Sequence, residues 1–257
     1  MQIYLADKIK IFLKSRSIIK NWHVLPSLYY KFGKEKYVTL KLKNGLKIKL
    51  RKHSTDLMQF ATIWLINEYS KPGFSIKEND VIIDIGSHIG MFALYASQYC
   101  KKGKIFCFEP VKENYELLLE NLAINKISNV LAINKAISEI DGNVTMYLNN
   151  DDSGHNLIEK TENVIQVSST SLKTFFDNNI IKKYDLIKID CEGSEYNIIE
   201  SLPNSYFKNI EKIIIEYHFA KKKFVSFQKL LEKLNACSFN LEKDENIEDM
   251  GMIFAKK

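Results

Sequence analysis

Glycine and proline are scarce in this chain, 10 and 4 among 257 residues, which excludes a collagen-like or Gly/Pro-rich disordered polymer. Cysteine is too sparse for a disulfide framework. The four, Cys100, Cys107, Cys191 and Cys237, lack the paired spacing of a metal site, and three sit inside apolar patterns where reduced, buried thiols are usual. A reducing cytoplasm is the expected setting. Long apolar runs are missing too: the opening MQIYLADKIKIFLKSRS is charged every few residues, so neither a signal peptide nor a spanning helix is expected. No internal repeat, low-complexity tract or linker-like stretch interrupts the chain. With 46% hydrophobic residues there is material for one large α/β domain with decoration.

Acidic residues are nearly absent from the beginning. Residues 1–52 carry 14 Lys or Arg against 2 Asp or Glu, while the remainder carries 23 against 29, so the net +6 is regional. Such a segment attracts an anionic substrate, an acidic subunit or a membrane surface, or is a solvated basic face. No stable membrane insertion is expected. Leu5, Ile9, Phe12 and Ile19 fall on one side of a helix over residues 3–22, a face suited to packing on a domain or on a second copy of the chain. The abundance of Lys, Ile and Asn suggests an AT-rich bacterial coding sequence.

YVTLKLKNGLKIKLRK alternates on both sides of Asn44-Gly45 and predicts a hairpin with a two-residue turn and its lysines on one face. STDLMQFATIWLINEY predicts a helix capped by Ser54 or Thr55, with Leu57, Phe60, Ile63, Trp64 and Ile66 on its apolar face. From residue 80 strands and helices alternate: strands at 81–85, 104–108, 130–134, 185–190 and 212–218, helices between them, and two late strands resembling a hairpin. That order implies a parallel sheet.

Ligands of such sheets bind at the carboxyl ends of the strands. VIIDIGSHIG places Asp84, Gly86, Ser87, His88 and Gly90 past the first strand; Glu109 ends the second, Ala136 and Ser138 follow the third, Asp190 and Glu192 end the fourth, and Glu216 and His218 end the fifth. Glu109, 19 residues after Gly90, can accept both hydroxyls of a ribose. NAD and S-adenosylmethionine both present one. A dinucleotide pyrophosphate needs a bare backbone where His88 stands, whereas the methionine tail of S-adenosylmethionine offers only a carboxylate and an ammonium. On this reading Asp84 helps hold the ammonium, His88 borders the tail, and the turn amides face its carboxylate. Asp84, Gly86, Ser87, His88, Gly90, Glu109, Ala136 and Asp190 form the expected cofactor set.

DIGSHIG, FEP, NKAIS, DLIKIDCEGSE and IIIEYH, in this order and spacing, resemble the FkbM family of S-adenosylmethionine-dependent methyltransferases over roughly residues 53–218. The segment DLIKID-x-EG-x-E is its most specific part; Ser87-His88 stand where the family more often has Ala-Asn. The resemblance implies a class I methyltransferase (Rossmann-like) α/β fold: a seven-stranded, mostly parallel sheet with the last strand antiparallel and helices on both faces. Here a basic N-terminal extension over 1–52, helix and hairpin, would precede a cofactor-binding domain over 53–257. It also implies O-methylation, often of sugars, and the expected substrate is a nucleotide-linked or polysaccharide-pathway sugar of capsule or O-antigen type.

Transfer to a hydroxyl needs a base and close alignment. Glu192 or His218 is the expected base and Asp190 the orienting group; Glu195 reads as a helix start, and His155 as part of a polar loop. No ligand spacing demands a metal, although Asp152, Asp190, Glu192 and His218 are of the right types, so metal-independent transfer is expected. Two other classes compete. The sequence pI near 8.9 fits a nucleic-acid methyltransferase, but DCEG replaces the Asn/Asp-Pro-Pro-aromatic run of its N-methylating forms; an inactive cofactor-binding scaffold would not need these acidic residues.

Overall fold

The computed structural model describes residues 5–148, 163–247 and 249–257; His155 and Asp152, named above, lie outside them. The chain begins with α1 (Leu5–Ile18), α2 (Leu25–Tyr29) and the hairpin β1 (Tyr37–Lys41) and β2 (Lys47–Arg51). Then α3 (Asp56–Phe60) runs on as a π-helical turn, Ala61–Ile66. The alternating region follows as β3 (Val81–Ile85), α4 (Met91–Ser97), β4 (Lys104–Phe108), α5 (Lys112–Ile124) and β5 (Val130–Ile133). After β6 (Ala136–Ser138), β7 (Gly142–Tyr147), β8 (Val164–Ser171) and α6 (Leu172–Asn178) come β9 (Leu186–Asp190), α7 (Glu195–Ser201) and α8 (Asn204–Phe207). The chain closes with β10 (Lys212–Tyr217), α9 (Phe224–Ala236), β11 (Asn240–Ile247) and β12 (Met250–Lys256).

Seven strands form one sheet in the order β11-β12-β10-β9-β3-β4-β5, with β12 antiparallel to both neighbours and β10, β9, β3, β4 and β5 parallel. This is the class I methyltransferase arrangement. The late hairpin forms as expected and occupies one edge of the sheet, its second strand lying between β10 and β11. Successive side chains on a strand point to opposite faces, and the branched runs use both. Ile82, Leu186 and Ile214 pack on one side with α4 and α5 residues such as Met91 and Leu118. Ile83, Ile85, Ile187, Ile189, Ile213 and Ile215 pack on the other with Phe175, Ile198 and Leu234. A strand buried on both faces reads as a continuous apolar run, which is why these were legible.

The amino-terminal segment joins the first of these layers. Leu40, Leu42, Ile48 and Leu50 of the hairpin share an apolar cluster with Ile82, Leu118 and Leu122. Two asparagines of α5 cover the hairpin's edge: Asn121 Oδ1 accepts from Lys49 N at 2.7 Å, and Asn125 Oδ1 from Lys47 N at 2.8 Å. The lysine face points outward as expected. The turn differs: Gly45 N donates to Leu42 O and Leu42 N to Leu46 O, so three residues, 43–45, form the loop, with Gly45 at φ 96° in the role of a bulge glycine. On α1 the buried contact is made by Ser15, with Ile11 and Ile18 beside it, whereas Phe12 is 45% exposed and packs edge-on against Trp22. Phe60, Ile63 and Trp64 are buried as expected, while the π-helical turn, with more residues per turn than an α-helix, brings Leu65 inward in place of Ile66, which is exposed.

A second sheet, β6-β8-β7, carries a small apolar cluster of Val111, Ala136, Met146 and Val167. It stands over the carboxyl tips of β3 and β4 and walls the cleft described next.

Candidate functional site

The carboxyl ends of β3, β4 and β9 open into a cleft of about 840 Å³, counting its mouth. Its first wall is the turn after β3. Gly86, His88 and Gly90 all adopt the left-handed conformation, at φ 76°, 50° and 86°, so the backbone at 88 is the one a glycine would take. Histidine is among the few side-chain-bearing residues that tolerate it. Gly86 allows a second close approach, because a Cβ there would overlap the carbonyl oxygen of Asp190. The ends of β3 and β9 are thereby brought together. Gly90 stands off the cleft and admits Leu118 of α5 against the turn.

The turn amides do not face the cleft as expected. Gly86 N and Ser87 N donate to Phe108 O at 3.1 and 3.0 Å, Gly90 N to Ser87 O, and His88 N to Glu109 Oε2 at 2.8 Å. They have internal acceptors, so the loop's rigidity comes from the same groups that would otherwise bind an anion. Ser87 is buried on the cleft wall, its Oγ donating to Asp84 O.

Glu109 lies on the cleft at the tip of β4. Its Oε1 accepts from Val111 N at 3.0 Å and Asn114 Nδ2 at 3.4 Å. Burial pushes its carboxyl up to about 7, against the lowering effect of the Val111, His88 and Asn114 donors and of Lys188. Val111, Ala136, Ile137 and Met146 line an apolar slot beside it.

Asp84 is corrected by the structure. It is fully buried and off the cleft wall; Asp84 and Lys188 are register partners on β3 and β9, and the Lys188 ammonium is 3.3 Å from Asp84 Oδ1. Its role toward an ammonium is thus filled from inside the protein. Two residues further along β9, on the same face, Asp190 Oδ2 is 3.2 Å from Lys188. Glu216 is the register partner of Asp190 on β10, and the Tyr69 hydroxyl reaches both, at 2.7 Å from Glu216 Oε2 and 3.2 Å from Asp190 Oδ2. Burial alone would raise Asp190, but Lys188 and His218 outweigh it and hold the carboxyl below its usual range. Burial and the Asp190 charge push Glu216 up to about 8. Lys188 stays charged, since Asp190, Asp84 and Glu216 outweigh its desolvation.

His218 sits at the end of this file, 7% exposed and away from the cleft lining. Its Nδ1 is 2.8 Å from Oε1 of Glu195, which is fully buried at the start of α7. Nε2 faces Glu192 Oε2 at 3.5 Å and Glu216 Oε1 at 3.9 Å. Desolvation would lower its pKa, but the Glu195 hydrogen bond and the charges of Glu195, Glu192 and Asp190 push it up to about 10. Glu192, on the cleft with its side chain 26% exposed, takes a left-handed backbone, φ 51°, followed by Gly193 at 99°, which aims the segment after β9 into the opening.

A sequence model of the "Methyltransferase FkbM domain" matches residues 84–241, more than half the chain. The protein belongs to the FkbM methyltransferase family. Methyltransferase 1 of Beauveria bassiana is 26% identical over 178 residues, 60% of this chain and 71% of that one. The hexuronic acid methyltransferase AglP of Haloferax volcanii is 24% identical over 142 residues, 55% of this chain and 57% of AglP. Among solved structures, the methyltransferase FkbM from Methylobacillus flagellatus superposes with a TM-score of 0.51 at 14% identity, covering 76% of this chain and 47% of that one, which shows the shared fold. The methyl donor of this methyltransferase is S-adenosylmethionine. The cleft fits it: an apolar slot for a flat base adjoins a carboxylate suited to a diol, while an acidic Glu109 and the turn's occupied amides would repel a pyrophosphate.

Four groups of this site escaped the sequence reading. Lys188 hides in DLIKID, where only its neighbours' register gives it meaning. Gln59, on the cleft wall, comes from α3 and Tyr69 from the turn after the π-helical segment, and neither carries a motif. Arg51 closes a ring around the cofactor turn: Nη2 lies 2.7 Å from His88 Nε2, Nη1 donates to Asn114 Oδ1 at 2.8 Å, and Asp56 Oδ1 accepts from Nη2 at 2.8 Å. Arginine has no acceptor, so His88 Nε2 accepts here and its ring proton is on Nδ1. His88 and Asn114 both bond Glu109, so the hairpin reaches this carboxylate by two routes. Among the described residues, no helix is long and apolar enough to cross a membrane.

Proposed function

We propose that this methyltransferase O-methylates a sugar hydroxyl, on a nucleotide-linked sugar or one entering a polysaccharide. The observation that carries the reading is the pair Asp190 and Glu192, two carboxylates on the cleft wall at the tip of β9. The likeness to a hexuronic acid methyltransferase supports a carbohydrate acceptor. A sugar hydroxyl keeps its proton at neutral pH, so one group must take the proton while another fixes the oxygen. Glu192, which reaches the cleft, is assigned as the base. His218 is not, because it is buried off the cleft with Nδ1 committed to Glu195. Asp190 orients the acceptor: Lys188 and Tyr69 both hold Oδ2, leaving Oδ1 for the hydroxyl. Glu109 is assigned to the ribose diol, the Val111–Met146 slot to the adenine, and His88 to the border of the methionine tail. When bound, the cofactor supplies an electrophilic methyl group on a sulfonium centre.

The test is a panel of nucleotide sugars incubated with S-adenosylmethionine and read by mass for a gain of one methyl. Glu192→Gln should lower kcat by roughly 10²–10⁴-fold while cofactor affinity stays within about twofold of the parent. Methylation of RNA or protein in place of every sugar offered would refute the acceptor class; an unaltered kcat in the variant would refute the base.

A further inference from the structure

We infer that Asp190, Glu192 and His218 form a binding site for a divalent metal cation at the mouth of the cleft, contrary to the metal-independent transfer expected from sequence. One ligand atom from each residue lies within 4.8 Å of the other two. The Nε2 of His218 and Oε2 of Glu192 are 3.5 Å apart, beyond an ordinary hydrogen bond. Two ligands about 2.1 Å from one ion are separated by roughly 3 Å when adjacent and 4 Å when opposed; the His218–Glu192 pair falls within that range, and the 4.8 Å bound on the set lies a little above it.

Three further observations point to an ion. His218 is 7% exposed, yet among the described residues no hydrogen bond reaches Nε2, which is aimed between Glu192 and Glu216. Its other nitrogen is held by a fully buried carboxylate, Glu195, and metal-bound histidines are oriented in this way by a carboxylate on the far ring nitrogen. Both protein groups that contact Asp190 do so through Oδ2, Lys188 at 3.2 Å and Tyr69 at 3.2 Å, leaving Oδ1 as the third ligand atom, so that with an ion bound Asp190 would orient the acceptor hydroxyl through the ion and not directly. One imidazole and two carboxylates suit Mn²⁺ or Mg²⁺, which keep further positions for water or substrate oxygen. The site itself stands on this geometry; its use, drawing the acceptor hydroxyl onto the ion beside Glu192 and so easing loss of its proton, rests on the O-methylation reading above.

The experiment is titration of the purified, chelator-stripped full chain with MnCl₂, followed by the loss of the free-ion electron paramagnetic resonance signal. S-adenosylmethionine affinity is measured calorimetrically on the same sample. One Mn²⁺ per chain is expected, its affinity weakened at least tenfold in His218→Gln and Asp190→Asn. In Glu195→Gln, which removes no ligand, a 10–100-fold loss is expected. Glu109→Gln, which removes neither a ligand nor the Glu195 support, should leave Mn²⁺ binding unchanged. Absence of stoichiometric binding by the parent chain up to millimolar Mn²⁺, or equal affinity in parent and variants, overturns the site. If cofactor binding persists in that case, the methyltransferase reading stands without it; if Mn²⁺ binds and sugars are not methylated, the site stands and the acceptor reading falls.

Discussion

Replacing Glu109 by Gln isolates one buried carboxyl and gives a pH signature with a definite sign. Burial raises this group from 4.5 to about 7 despite three donors and a nearby ammonium. A shift of this size corresponds to about 3 kcal/mol between the protonated and ionised folded states. The folded pKa lies above the unfolded one, so this stabilising contribution is fully present below about 4.5 and is lost as pH rises through 7. Other titrating groups are common to parent and variant and cancel in the difference. Urea unfolding of both, without cofactor, from pH 5 to pH 8 should therefore show the parent losing about 2–3 kcal/mol relative to Glu109→Gln across that window. The amide contributes an offset that does not change with pH. Cofactor binding should run the other way: if a ribose diol donates to this carboxylate, the ionised form binds, and parent affinity climbs toward pH 7 and then levels while the variant stays flat. A stability difference constant to within about 0.5 kcal/mol would refute the claim that burial dominates the donors here.

Three other substitutions address the scaffold around that carboxylate. Arg51→Met should weaken S-adenosylmethionine binding by about tenfold, and combining it with Glu109→Gln should cost less than the sum, since both act through one ring; additive losses by calorimetry would break the link. Lys188→Met leaves Asp84 buried without its cation and should destabilise the chain by about 3–5 kcal/mol in urea unfolding, so a loss under 1 kcal/mol would contradict the ion-pair role. Gly86→Ala forces a Cβ onto the Asp190 carbonyl oxygen and should lower both Tm and cofactor affinity, whereas Ser87→Ala, which removes one hydroxyl hydrogen bond, should cost about 1 kcal/mol.

The strands were legible because β-branched runs bounded by polar tips mean the same thing locally and globally. VIIDI, LIKID and KIIIEY each carry an acid at the last or next-to-last position, and the sheet places Asp84, Asp190 and Glu216 on one face of three adjacent strands. Which of those acids faces the cleft was not legible. Asp84 and Lys188 oppose each other only through the pairing of β3 with β9, and their separation of 3.3 Å turns an expected ligand into a buried ion pair. His218 was misread for a related reason: its strand-tip position suggested a base, while α7 supplies Glu195 from 23 residues earlier to occupy Nδ1. The Asn-Gly hairpin signal gave the right turn place but not the loop length, because Gly45 adopts φ 96° whereas Asn44 does not share a positive φ with it.

A histidine at position 88 needs an explanation that the turn alone does not provide. Its backbone is left-handed at φ 50°, a conformation that costs most side-chain-bearing residues about 1–2 kcal/mol, and the ring must go somewhere that does not fill the cleft. Arg51 Nη2 meets it at 2.7 Å, and Asp56 Oδ1, 3.6 Å from the same ring nitrogen, fixes the guanidinium. The basic hairpin is therefore more than a solvated face: its last residue, Arg51, anchors the turn after β3 through His88, while its lysines stay outside. Charge in this extension divides by depth. The charges that enter the fold have internal partners, Arg51 the His88 ring and Asp56, and Lys52 the Glu35 carboxylate at 2.6 Å, whereas the hairpin lysines face solvent.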